Sequence, residues 1–172
     1  RAVLRRLLAR YTGLAPAAVP LRAGEHGKPG CPAASDLGFN CASSGPVAVY
    51  AFGRGVRVGV DVEFRPDGRF EEMPVRRYMT DRERESLDPV RTWVVKEAVA
   101  KGVGMGLDLP PFGIEVERLD PDPEVRLTGD WARVDTARWH VRLVGDERRV
   151  AALATDAPVE LSARRDAVGV EH

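Results

Sequence analysis

The chain has 172 residues, 44% hydrophobic and 30% charged, enough for one domain or for two small halves around a shared core. Its 26 lysines and arginines balance 26 aspartates and glutamates, so net charge gives no support to a nucleic-acid or membrane-surface partner. The longest uncharged stretch, Leu37 to Gly53, is broken by Asn40, Ser43, Ser44 and Pro46 and reads as loop plus strand, not as a membrane span, and no signal peptide is visible.

In chain order, the first predicted element is a helix. Val3, Leu4, Leu7, Leu8 and Tyr11 line one face, with arginines on the other and Gly13 as the stop. Residues 24–38, "GEHGKPGCPAASDLG", are rich in Gly, Pro and Ser and read as loop. "PVAVYAFG" and "VRVGVDVEF" read as strands, with Gly53 and Gly55 between them at hairpin distance. Thr80 to Glu83, "TDRE", matches a capping box opening a short helix. A longer helix follows, with Asp88 as N-cap, Pro89 in its first turn and the glycines at 102, 104 and 106 at its end. The remainder reads as β: "FGIEVER", "EVRLTG", then "RWHVRLV" and "RVAALAT" around the hairpin signal "GDER". The expected class is therefore α+β, one long helix against antiparallel strands.

The cysteines, Cys31 and Cys41, form no CxxC pair. They read as reduced residues and point to a cytoplasmic chain. The first residue is Arg1, not methionine, which reads as a fragment or a missing leading segment. The final "VEH" is set aside as tag-like.

Chemistry-bearing residues concentrate in two places. In "VRVGVDVEF" the valines at 56, 58, 60 and 62 share one face. Asp61 and Glu63 share the other, about 7 Å apart along the strand. On the long helix Trp93, Glu97 and Lys101 recur every four residues and lie on roughly one face. Taken singly, the strand pair reads as the wet face of a sheet and Glu97–Lys101 as a surface ion pair. Taken together, three carboxylates from two elements make an oxygen-rich set suited to Mg²⁺. Zinc does not suit the chain: His26, His140 and His172 are scattered and neither cysteine has a ligand-like neighbour.

"VGVDVE" followed by "WVVKEAVAKGVGMGL" resembles the two signature motifs of 4'-phosphopantetheinyl transferases of the surfactin-synthetase-activating type. Trp93, Lys96, Glu97, Ala98, Lys101, Gly104, Gly106 and Leu107 fill the positions of the second motif. Upstream, "HGKP", "FNCASSG" and the helix carrying Arg5 are similar to further elements of that family.

The resemblance implies a two-halved α+β fold (a pseudo-dimer), each half a long helix against a small antiparallel sheet, with residues 1–58 a shortened coenzyme A-binding half and 59–168 the metal-binding and catalytic half. It implies transfer of the phosphopantetheine arm of coenzyme A to a serine of an apo acyl or peptidyl carrier protein, with release of adenosine 3',5'-bisphosphate. Asp61, Glu63 and Glu97 would be ligands of Mg²⁺, or of Mn²⁺ in its place. Lys101 would bind phosphate or take the serine proton, and Glu97 is a second candidate for the base. Arg5 and Lys28 would grip phosphates, the backbone of His26, Gly27, Lys28 and Pro29 would line the adenine, Ser43 and Ser44 would lie at the coenzyme, and Glu83 near the pantetheine. Trp93 is expected to pack its helix against the sheet. "FEEMPVRRYM", with Arg76 and Arg77, is a candidate landing surface for a carrier, and the expected state is a monomer.

The match departs from the family in two respects. Ser43 stands where the family has a histidine, which exchanges a chargeable donor for a hydroxyl, and the family's segment before the first helix is absent. The first departure motivates an alternative: a weakened relative that binds coenzyme A or carrier protein without turnover. The second is compatible with a domain excised from a larger polyketide synthase.

Overall fold

The computed structural model describes residues 2–24, 26–67, 74–105 and 108–162. Helix α1 (Ala2–Thr12) is followed by a short hairpin, β1 (Arg22–Ala23) with β2 (Pro29–Gly30), and by a long one, β3 (Leu37–Ser44) with β4 (Val47–Arg54). Strand β5 (Val58–Phe64) leads to the short helix α2 (Asp81–Ser86) and the long helix α3 (Pro89–Val103). Then come β6 (Ile114–Arg118), β7 (Glu124–Leu127), the short helix α4 (Gly129–Val134), β8 (His140–Asp146) and β9 (Arg149–Thr155).

The capping signals operate as their chemistry dictates. Thr80 Oγ1 accepts from the Glu83 N–H, and Glu83 Oε2 accepts from the Thr80 N–H at 2.7 Å. Asp88 Oδ1 accepts from the Arg91 N–H at 2.8 Å, and α3 closes on Gly104 in the left-handed conformation (φ 98°). The "GDER" turn joins β8 to β9, with Asp146 opposite Arg149.

The pairing of the strands differs from the expectation at one point. Gly53 and Gly55 do not make a hairpin. The hairpin lies one strand earlier, around Gly45 (φ 55°), and the stretch from Leu37 that reads as loop is strand β3. Strand β5 pairs instead with β9, far away in sequence, in the antiparallel order β5-β9-β8. A hydrophobic pattern states that a segment is extended; it does not state its partner. Helix α4 carries too short a pattern to register as periodic.

Two apolar clusters result. One gathers Leu4 and Leu8 of α1 with Val19, Cys31, Leu37 and Phe39; Tyr11 stacks on Phe52 at 5.0 Å. The other packs α3 (Val94, Val95, Ala98, Val99) on Ile114, Val116, Trp131, Trp139, Val141, Ala152 and Ala154. Val58, Val60 and Val62 are buried, and the Val58 side chain lies over Gly53 of β4. The opposite face of β5 is not wet either. A Cβ on Gly59 would lie 1.9 Å from the Ala98 carbonyl oxygen, so β5 touches α3 backbone to backbone. No helix among the described residues is long and apolar enough to cross a membrane.

Candidate active site

The close approach at Gly59 decides where the acidic residues go. Asp61 follows two positions later on the same face, 6% exposed, and meets Lys101 of α3, whose Nζ lies 2.5 Å from Asp61 Oδ1 and 3.8 Å from Glu97 Oε2. Asp61 Oδ2 and Glu97 Oε1 are buried with no hydrogen-bond partner among the described residues. An unpaired buried carboxylate oxygen costs free energy that the fold would not otherwise bear. Burial pushes the pKa of both carboxyls up, against the pull of the Lys101 charge. Glu63, half-buried, accepts from Ser44 Oγ at 3.0 Å. The three carboxylates thus face one region, with the Lys101 ammonium between two of them. Among the described residues no three His, Cys, Asp or Glu side chains form a preassembled metal cage. The donor set is nonetheless all oxygen and has two unspent atoms, which fits a hard divalent cation that completes its shell with water and phosphate.

The remaining residues singled out in the sequence are placed as follows. Lys28 Nζ donates to the carbonyls of Val58 (3.0 Å) and Gly102 (2.8 Å). Burial, helped by the nearby Arg57 charge, lowers its pKa to about 8. His26 Nδ1 lies 2.7 Å from Asp108 Oδ2. Gly27 turns the chain between β1 and β2 at φ 79°, and Pro29 pairs with Ala23. Arg5 Nη1 donates to the carbonyls of Ala17 and Val19. Ser43 is exposed on β3.

Glu83 lies apart from the acidic cluster and is enclosed. It accepts from the Val116 N–H at 2.8 Å and pairs with Lys96 at 2.8 Å, the lysine side chain being 0% exposed. Trp93 stacks on Tyr78 at 4.8 Å and packs against the larger core. Of the carrier-landing stretch, Phe70, Glu71, Glu72 and Met73 lie outside the described residues, as do Gly106 and Leu107 of the second motif; Arg76 and Arg77 sit in a short 3₁₀ turn.

Residues 57–154 match the family model described as the 4'-phosphopantetheinyl transferase superfamily. The chain belongs to that superfamily. A curated relative, the 4'-phosphopantetheinyl transferase of Bacillus subtilis, is 30% identical over 135 residues, covering 73% of this chain. The chain spans 58% of that relative's length. The matched segment begins at Arg57 and contains β5, α3 and the carboxylates Asp61, Glu63 and Glu97, so family membership and the convergence of Asp61, Glu97 and Lys101 concern the same part of the molecule.

Sequence reasoning left three polar residues without a role. Asn40 Oδ1 accepts from the Val60 N–H at 3.0 Å. Arg57 bonds Asp135 at 2.8 and 3.1 Å and Asp156 at 2.7 Å, beneath Trp139. Lys96 is the buried partner of Glu83. Asn40 stands beside the "CASS" element, but its type carries no signal of its partner, because that partner is a backbone N–H twenty residues away.

Proposed function

We propose that the chain transfers the 4'-phosphopantetheine arm of coenzyme A to a serine hydroxyl of an apo acyl or peptidyl carrier protein. The serine oxygen forms a bond to the pantetheine-side phosphorus. The bond from that phosphorus to the bridging oxygen breaks, and adenosine 3',5'-bisphosphate leaves. The serine proton passes to a base, for which Glu97 and Lys101 are the two candidates. Asp61, Glu63 and Glu97 would hold Mg²⁺ or Mn²⁺, which supplies neutralisation of charge on the pyrophosphate oxygens. Lys101, already paired with Asp61, orients that carboxylate and is within reach of a phosphate. Lys28, Arg5, Ser43 and Ser44, with the backbone of His26 to Pro29, would form the coenzyme side, and Glu83 stiffens the pantetheine side through its pair with Lys96. The two helix-plus-sheet units, α1 with β3–β4 and α3 with β5-β9-β8, read as the two halves of a pseudo-dimer acting as a monomer. Two free cysteines support a cytoplasmic setting.

The observation that carries this reading is the pair of orphaned buried oxygens, Asp61 Oδ2 and Glu97 Oε1, flanking Lys101 within the family-matched segment. The test is incubation with coenzyme A, Mg²⁺ and a panel of apo carrier proteins, read by intact-protein mass spectrometry. The expected result is a phosphopantetheine adduct on at least one carrier, abolished by EDTA. Coenzyme A binding with no adduct on any carrier would instead support the second reading, a non-turning-over binder, which the exposed hydroxyl of Ser43 at a histidine position motivates.

A further inference from the structure

Among the described residues, strand β5 has a strand partner on one side only. In an antiparallel pair, alternate residues turn their N–H and C=O groups toward the partner and the others turn them away. On β5 the even-numbered residues face away from β9. Three of their backbone groups are met not by another strand but by side chains from the first part of the chain. Lys28 Nζ donates to Val58 O at 3.0 Å, Asn40 Oδ1 accepts from the Val60 N–H at 3.0 Å, and Ser44 Oγ accepts from the Phe64 N–H at 3.1 Å. Asn40 and Ser44 are four residues apart on β3, and Val60 and Phe64 are four apart on β5, so β3 runs parallel to β5 and stitches it at matching intervals. The chain just ahead of β5 also comes close to β3, where a Cβ on Gly38 would lie 2.0 Å from Val56 O. Asp61 and Glu63 lie between the stitches at Val60 and Phe64, and Ser44 donates to Glu63 as well.

We propose that Asn40 is a positioning residue which, with Lys28 and Ser44, forms a side-chain seam along the free edge of β5 and holds Asp61 and Glu63 in place for metal. Asn40 is 6% exposed, so its carboxamide serves the interior, not a ligand. An unpaired N–H at Val60 would be buried one residue from Asp61, and relaxing that strain would move the carboxylate. Outer partners that orient metal ligands change affinity by about 10- to 100-fold when removed. The metal part of this inference rests on the function proposed above; the edge seam stands on the geometry alone.

The test pairs amide hydrogen exchange with Mn²⁺ titration by electron paramagnetic resonance, on the full chain. In the unmodified protein, Val60 and Phe64 amides exchange as slowly as the amides of β9. Asn40→Leu, similar in size but without an acceptor, frees Val60 exchange and weakens Mn²⁺ binding about tenfold. Asn40→Asp restores Val60 protection. Leu8→Ala, a lesion in the other apolar cluster, lowers the melting temperature but leaves Mn²⁺ affinity unchanged. Fast exchange at Val60 in the unmodified protein overturns the seam, even if Asn40→Leu fails to fold. A folded Asn40→Leu with unchanged Mn²⁺ affinity overturns the positioning role. No Mn²⁺ binding by the unmodified protein removes the metal reading and the positioning role with it, while the exchange data still decide the seam.

Discussion

Glu97 carries a conflict between stability and chemistry. Its raised pKa means that the folded state holds the proton more tightly than the unfolded state does. Stability from this group is therefore present at low pH and is lost as pH rises through the usual carboxylate range and up to the raised folded value. Glu97→Gln removes the penalty. In EDTA its melting temperature is expected to exceed the parent's, by roughly 2–4 °C if the relief is about 1 kcal/mol, and the gain is larger at pH 8 than at pH 4. Transfer is expected to be lost. A lower melting temperature at pH 8 would show that Lys101 outweighs burial. Lys28 has the opposite sign. Its pKa, lowered to about 8, means that between pH 8 and its ordinary range near 10.5 the unfolded chain binds more protons than the folded one. Stability from this group rises with pH through that window. The difference in unfolding free energy between parent and Lys28→Met, measured by urea titration, is expected to grow in the parent's favour from pH 7.5 to pH 10.

At the scale of elements, two contacts fix α3, the helix that carries Glu97 and Lys101. The first is the backbone crossing at Gly59. A methyl group there would meet both the Ala98 carbonyl oxygen and the Gly102 nitrogen at 1.9 and 2.3 Å, groups of a helix that cannot yield locally. Gly59→Ala is expected to abolish the folded state, or to lower the urea midpoint severely and destroy transfer. The second is the buried Glu83–Lys96 pair, which ties α2 and β6 to α3. Removing one partner of such a pair costs about 3–5 kcal/mol, because the other charge is left buried. Lys96→Met alone is therefore expected to destabilise by about that much, and Glu83→Gln with Lys96→Met to recover part of it, since the amide oxygen can still accept from Val116. Equal destabilisation by the single and double variants would argue that the pair is no charge trap.

At the scale of the molecule, β5 is the seam. One of its faces packs on α3; on the other Val58, Val60 and Val62 are buried, with the Val58 side chain over Gly53 of the β3–β4 hairpin. Arg57, one residue before the strand, clasps Asp135 and Asp156 and so locks the strand's entry to segments flanking β8 and β9. The part that holds the carboxylates thus depends on residues outside the family-matched segment 57–154. A piece comprising residues 56–162 alone is expected to lose cooperative unfolding, to bind the dye ANS and to lose near-ultraviolet circular dichroism, because Val58 would lose its cover and the buried Val60 N–H its acceptor. A sharp thermal transition from that piece would contradict this dependence.

What the residues alone determined is mostly local. The capping box, the Asp88–Pro89 helix start, the Gly104 stop and the "GDER" turn are contacts within a few positions, and each was legible as such. Motif spacing also singled out Asp61, Glu63, Glu97 and Lys101 together, as members of one family pattern. Tertiary structure alone decided the rest: that β5 pairs with β9 and not with β4, that Glu83 faces a buried lysine, and that Asp61 is nearly sealed from water. It also decided that Lys28, Asn40 and Ser44 spend hydrogen bonds on the edge of the strand they flank. These facts depend on which backbone groups are left unpaired once the sheet has formed, a quantity no single segment carries, since every donor is unpaired until its distant neighbour arrives.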